Sequence, residues 1–185
     1  DEFPDLIYCA ISGYGQTGPY KDRGGYDMQA QGMAGIMAIT GEADGQPMKV
    51  GIGIADMMCG MYAAPAILAA LRHRDITGEG QFIDLALLDT TVAWLNYVGL
   101  SYLTSGEPTA RYGNGHPNIV PWEVFPSKNG YFILTVGNDG QFKAFCEFAE
   151  SPELADHDDF ATNAQRVRNR EKLVPMLFEI TRKHP

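Results

Sequence analysis

The sequence predicts an α/β protein, and the prediction rests on the order of its apolar segments. Leu6-Ile7-Tyr8-Cys9-Ala10-Ile11 is a short, nearly continuous apolar run, the signature of a strand covered on both faces of a parallel sheet. Met57 to Arg74 carries apolar residues at helical spacing, and Gln81 to Ala86 then alternates as a strand does. A second helical pattern follows at once. This helix–strand–helix succession after an initial strand is α/β layering.

Each element has its local reason. Ser12 to Gly25 is dense in glycine, contains Pro19 and reads as a loop. Tyr26 to Ile39, rich in Met, Ala and Gln, reads as a helix, and Thr40 to Gln46 as a polar turn. In the strongest helix, Met57, Met61, Ala64, Ile67, Leu68 and Leu71 form the expected buried stripe. Arg72, His73 and Arg74 stand at its end, where cations suit the helix dipole. Gly78 and Gly80 break the chain before the strand. Asp89 or Thr90 is the expected cap of the next helix, running to about Leu103.

Composition shifts between Ser105 and Pro121, a Gly-, Pro- and Asn-rich stretch that reads as a linker or functional loop. Beyond it, Tyr131 to Val136 reads as a strand. Asp139 to Ala149 reads as a helix with Phe142, Phe145 and Cys146 inward. Asn163 to Lys183 reads as one charged amphipathic helix. The expected division is 1–108 and 109–185.

The chain has 185 residues, with 14 Lys and Arg against 23 Asp and Glu, a formal charge of −9. That balance speaks against a nucleic-acid partner, which needs clustered cations, and against an anionic membrane surface. The longest apolar run, around Met57 to Leu71, contains Pro65 and falls short of the roughly 18–20 residues of a membrane helix. Cys9, Cys59 and Cys146 are scattered, with no CxxC pair, so neither a disulfide framework nor a zinc site is expected. No two histidines have metal-ligand spacing. The thiols and the acidic start (Asp1, Glu2, Asp5) suggest a cytoplasmic setting. The missing initiator Met and the immediate buried-type strand suggest a piece of a longer chain.

Four places could carry chemistry. Asp56 follows the Gly-rich approach Val50-Gly51-Ile52-Gly53-Ile54-Ala55 and opens the strongest helix, where unpaired N–H groups and the dipole favour a carboxylate. Gly60, four residues on, shares its face and leaves space beside it. An Asp at a helix start is equally an ordinary N-cap. Gly13-Tyr14-Gly15-Gln16-Thr17-Gly18-Pro19 can approach a thin ligand or form a surface turn; no Walker Lys follows it. Arg23-Gly24-Gly25-Tyr26-Asp27 places charged and aromatic groups after a turn. Finally, His116 and Asn118 lie in the Pro-bounded segment Tyr112 to Pro121.

Together these segments resemble the family III CoA-transferases, the group that contains formyl-CoA transferase, carnitine CoA-transferase and alpha-methylacyl-CoA racemase. The matching runs are Ile11 to Pro19, Gly25-Tyr26-Asp27, Thr40-Gly41 with Pro47, Ile54 to Gly60, Ala69 to Arg74, Thr77 to Gln81, and Asp84. Arg111 to Arg170 is similar to the smaller domain of the family through weaker motifs. The resemblance implies part of a Rossmann-like large domain followed by a small α+β domain. It implies an interlocked homodimer that takes acyl-CoA and a small carboxylic acid, with coenzyme A as substrate and no permanent cofactor or metal. It makes Asp56 the nucleophile of an aspartyl-CoA thioester pathway. It makes Gln16, Arg23, Tyr26, Asp27, Gly60, His116 and Asn118 the candidate substrate- or CoA-binding residues. A piece of this kind is expected to be inactive alone.

There are departures from the family pattern. Tyr26 stands where the racemases carry a proton-shuttling His, and a tyrosine with an ordinary pKa of about 10 is a poor base. This favours CoA transfer over the alternative, acyl-CoA epimerisation. His116-Pro117-Asn118-Ile119-Val120 replaces the glycine run of formyl-CoA transferase-like members, pointing to larger acids, dicarboxylates included. Gly24 replaces a CoA-contacting basic residue, for which Arg23 can substitute. A non-catalytic dimerising fragment is the further alternative.

Overall fold

Strands β1 (Tyr8–Ser12) and β2 (Phe82–Ala86) pair in parallel, with Tyr8 opposite Phe82 and Ser12 opposite Ala86. A parallel pair needs a crossover. Here it is made by α1 (Asp27–Ala34), α2 (Ile36–Ile39) and α3 (Ile54–Thr77). Directly after β2 come α4 (Leu87–Ala93) and α5 (Asn96–Ser105). The computed structural model describes residues 2–185 and divides between Arg111 and Tyr112. Arg111 belongs to the first unit because its guanidinium donates to the carbonyls of Ala38, Glu42 and Gly45.

The first unit corrects several expectations. β1 is not covered on both faces: Tyr8 and Ile11 stay more than half exposed, and among the described residues β2 is the one strand that pairs with it. The helix expected over Tyr26–Ile39 is two helices. Gly35 takes φ +95°, a conformation that ends α1 and that glycine adopts without strain. The helix after β2 is not capped by Asp89 or Thr90; it starts at Leu87 and breaks before Asn96, which sits at φ +49°.

Helix α3 is longer than its apolar stripe, and it faces the other way. Its buried residues include Ala55, Cys59, Ala63 and Ala70, while Met57, Met61 and Leu68 are exposed. The small side chains let α3 lie close to α1, α4 and β2. Ala30, Ala55, Cys59 and Leu87 form the shared core, with Leu85 packed against it. Extended to Thr77, α3 has the length and composition to cross a membrane, its most apolar 18-residue window having a mean hydropathy of 1.6. That corrects the shorter run read from sequence. In the fold, its small-residue face does the work of a helix that covers a sheet.

The second unit pairs β3 (Trp122–Ser127) with β4 (Gly130–Thr135) as an antiparallel hairpin. Sequence reading identifies the second of these strands and misses the first. Around the hairpin pack α6 (Asp139–Phe148), α7 (Asn163–Arg168) and α8 (Arg170–Thr181). Phe125, Phe142, Cys146, Phe160, Leu173 and Leu177 fill the core. Asn163–Lys183 is not one charged amphipathic helix. Asn169 interrupts it, and Arg166 is fully buried.

Arg166 is tolerated there because its guanidinium is satisfied all round. Nε donates to Val120 O at 2.7 Å, Nη1 to Phe160 O at 2.9 Å and Nη2 to Asp139 Oδ1 at 2.8 Å. The guanidinium lies 4.3 Å above the centre of the Phe142 ring. Asp139 is half exposed and can turn to solvent, but removing Arg166 leaves the carbonyls of Val120 and Phe160 without the bonds it gives them. Arg166→Ala is expected to lower the unfolding free energy by about 2–4 kcal/mol, from the carbonyls left unpaired and the packing lost. Urea titration followed by Trp122 fluorescence in a Trp94→Phe background checks this; an unchanged midpoint contradicts it.

Candidate active site

The loop between β1 and α1 is drawn tight by glycine. A Cβ on Gly13 would stand 2.5 Å from Gly25 Cα, so the two backbones touch. Ser12 Oγ accepts from Gly15 N at 2.9 Å, and Asp84 Oδ2, on β2, accepts from Gln16 N at 2.8 Å. The side chain of Gln16 is exposed. Arg23 lies over the Tyr20 ring at 4.1 Å, and Tyr20 meets Tyr14 edge to face. Tyr26, 77% exposed, immediately precedes α1 and donates its N–H to Gln29 Oε1 at 3.0 Å.

Asp27 does what Asp56 was a candidate for. Helix α3 begins after Gly53, which has no side chain to cap it. Asp27 Oδ1 accepts from Ala55 N at 2.7 Å and from Asp56 N at 3.3 Å. Those are the donors an N-cap side chain ordinarily satisfies. The cap of α3 thus comes from the first residue of α1, and Asp56 is the third residue of the helix rather than its cap. Asp56 is exposed, and its carboxylate makes no hydrogen bond or ion pair among the described residues. It sits in the first helical turn, where the dipole favours its charge. Asp56 Oδ2 and Asp27 Cγ each lie 3.7 Å from the point that a Cβ on Gly53 would occupy. A Cβ on Gly60 would meet nothing within 4 Å, so the space expected beside Asp56 is open. Sequence reading missed Gln31, which is fully buried and hydrogen-bonded to Asp27. Its spacing of four residues from Asp27 on a helix was the available signal.

His116 and Asn118 belong to the second unit and are held there by main-chain anchors. Arg170 Nη2 donates to the carbonyls of His116 and Pro117 at 2.9 and 2.8 Å. Its guanidinium stacks 4.7 Å above the Tyr112 ring. Asn118 N donates to His116 Nδ1 at 3.1 Å, which leaves the proton of the neutral ring on Nε2. Asn163 Nδ2 donates to Asn118 O at 2.9 Å. Burial, and then the Arg170 charge, hold His116 below its ordinary pKa of 6.5. Burial pushes the neighbouring Glu123 carboxyl up, against the pull of Arg170. Arg170 was inconspicuous in a helix read as a charged surface.

Two outcomes follow. Asp27→Ala removes the cap of α3 and should cost about 0.5–2 kcal/mol of stability, while Asp27→Ser at this distance should not restore it; chemical denaturation of both variants is the check. His116 binds protons more weakly when folded than when unfolded. Stability is therefore fully present above about pH 6.5 and falls as the pH drops through the folded value. Urea midpoints between about pH 8 and pH 5 should show this decline, and His116→Gln should flatten it.

The model for CoA-transferase family III matches residues 1–185. Succinate–glutarate CoA-transferase of Agrobacterium fabrum is 53% identical over 167 residues, covering 90% of this chain and 42% of that protein. Human succinyl-CoA:glutarate CoA-transferase is 42% identical over 176 residues, covering 95% of this chain and 40% of that protein. A crystal structure of a CAIB/BAIF family protein from Brucella suis, 47% identical, superposes with a TM-score of 0.83 over 98% of this chain and 48% of that one. The chain spans less than half the length of these relatives. Its mixed α/β fold is that of the Brucella protein, and the chain belongs to CoA-transferase family III.

Proposed function

We propose that the protein transfers coenzyme A from an acyl-CoA donor to a carboxylic acid, with Asp56 as nucleophile. The observation that carries this reading is an exposed, unpartnered carboxylate in the first turn of a helix whose N-terminus another residue caps. A carboxylate that capped its own helix would have to give up those bonds to react. This one does not.

The chemistry balances without a redox partner. An oxygen of Asp56 attacks the donor thioester carbonyl, the C–S bond breaks, and CoA thiolate leaves a mixed anhydride. Thiolate attacks Asp56 Cγ and expels the donor acid as its carboxylate, leaving an aspartyl-CoA thioester. The acceptor carboxylate then attacks Cγ and displaces thiolate. Thiolate takes the acyl carbon of the acceptor, and Asp56 returns as carboxylate. The open space at Gly60 receives the bulky thioester. Gln16, Arg23 and Tyr26 of the first unit contact the substrates, and Asp27 acts through the helix it caps; His116 and Asn118 are the candidate binding residues of the second unit.

The relatives' names, succinate–glutarate and succinyl-CoA:glutarate CoA-transferase, favour dicarboxylates of four or five carbons as donor and acceptor. His116 to Val120, in place of a glycine run, agrees with acids larger than formate. The first unit, up to Arg111, is part of a Rossmann-like large domain, the second is a small domain, and the working form is a homodimer. The exposed apolar side chains Met57, Met61 and Leu68 on α3, and Leu100 and Leu103 on α5, support association.

The test uses the complete gene product with succinyl-CoA and a panel of acids. Glutarate should outrun monocarboxylates of equal length. Asp56→Asn should lose at least about a thousandfold in kcat. Mass spectrometry should find a CoA adduct on the peptide holding Asp56 in the wild type and none in the variant. Turnover retained by Asp56→Asn defeats the mechanism. Exchange of the α-proton of a 2-methylacyl-CoA in heavy water, with no transfer to a free acid, would establish an epimerase instead.

A further inference from the structure

Gln31 is a polar side chain with no exposure to solvent, one helical turn after Asp27. Its amide uses both ends. Oε1 accepts from Val50 N at 2.8 Å. Nε2 donates to Asp27 Oδ2 at 2.6 Å and reaches Ile52 O at 3.4 Å. The orientation is forced: turning the amide over would set two donors against each other at Val50 and two acceptors at Asp27. Asp27 Oδ1, the other oxygen, caps α3. Gln31 therefore ties together the strap of residues 50–53, the capping carboxylate and the helix that carries Asp56.

We propose that Gln31 is the positioning residue of Asp56, a role that rests on the nucleophile reading given above. The Asp56 side chain has no hydrogen bond of its own among the described residues, so its backbone sets its direction. That backbone is fixed on one side by the cap and on the other by the strap, and Gln31 holds both. No apolar residue can replace it without leaving Val50 N–H and Asp27 Oδ2 without these partly buried bonds. A charged glutamate would satisfy Val50 but set a second carboxylate against Asp27. A protonated glutamate reproduces the amide: one oxygen accepts from Val50 N, and the O–H donates to Asp27 Oδ2.

The test follows from that difference. Gln31→Met and Gln31→Glu are made in the complete gene product and assayed with succinyl-CoA and glutarate, corrected for folded protein. Gln31→Met should lower kcat by about 10- to 100-fold, with KM for the acyl-CoA within about threefold, because a displaced nucleophile loses attack geometry and not binding. The kcat of Gln31→Glu, divided by that of wild type, should rise steadily as the pH falls from about 8 to about 5.5, as the introduced carboxyl becomes protonated. A role confined to stability would leave that ratio flat once folded protein is counted, and a flat ratio overturns the proposal. So does an unaltered kcat in Gln31→Met.

Amide hydrogen exchange on the complete gene product gives a readout free of activity. Val50 and Ala55 N–H should exchange at least about tenfold faster in Gln31→Met. Unchanged protection at both amides removes the anchoring and the proposal with it. Failure of the nucleophile reading appears elsewhere, as turnover retained by Asp56→Asn, and is thereby told apart from failure of the Gln31 role.

Discussion

The first unit depends on one hydrogen-bonding arrangement, the Asp27 carboxylate across the N-terminus of α3. A helix of 24 residues beginning after glycine has no side chain of its own to take up its first N–H groups. Asp27 supplies an acceptor from 28 residues upstream. The same contact joins α1 to α3 and brings the loop leaving β1 against the start of the helix that leads to β2. Charge, connectivity and site geometry are consequences of a single carboxylate. Gln31 then keeps that carboxylate from turning.

The close packing below has a related cause. Ala55, Cys59, Ala63 and Ala70 let α3 approach its neighbours, where larger residues would hold it away. The N-terminal end of the helix consequently stands over a core of Ala30, Ala55, Cys59 and Leu87. The second unit follows a different rule. Its core is aromatic and aliphatic, organised about a buried guanidinium that binds carbonyls from separate segments.

Much of this was legible in the residues, and the failures have physical reasons. β2, α3 and α6 were readable because alternation and helical spacing are strong in them. The direction of α3 was not. Hydrophobic periodicity identifies the greasiest face, whereas packing here selects the smallest one, and Met57, Met61 and Leu68 are left outside. Asp56 stood out from its glycine-rich approach. That it does not cap its helix could not be seen, since the capping residue lies far off in sequence. Buried Arg166 and the anchoring Arg170 were hidden in a run of charges whose polar spacing resembles a solvated face.

The arginines share a habit that bears on how such a protein can change. Arg111, Arg166 and Arg170 all donate to main-chain carbonyls. A clamp of this kind grips the backbone and is indifferent to the side chains it holds. In the segment from His116 to Val120, Arg170 and Arg166 hold the carbonyls of His116, Pro117 and Val120, and the His116 ring adds one side-chain bond, to Asn118 N. A substitution at Asn118 leaves those arginine contacts in place, whereas one at His116 also removes the bond to Asn118 N. Side chains of this loop, Asn118 first among them, can thus change without its frame being rebuilt.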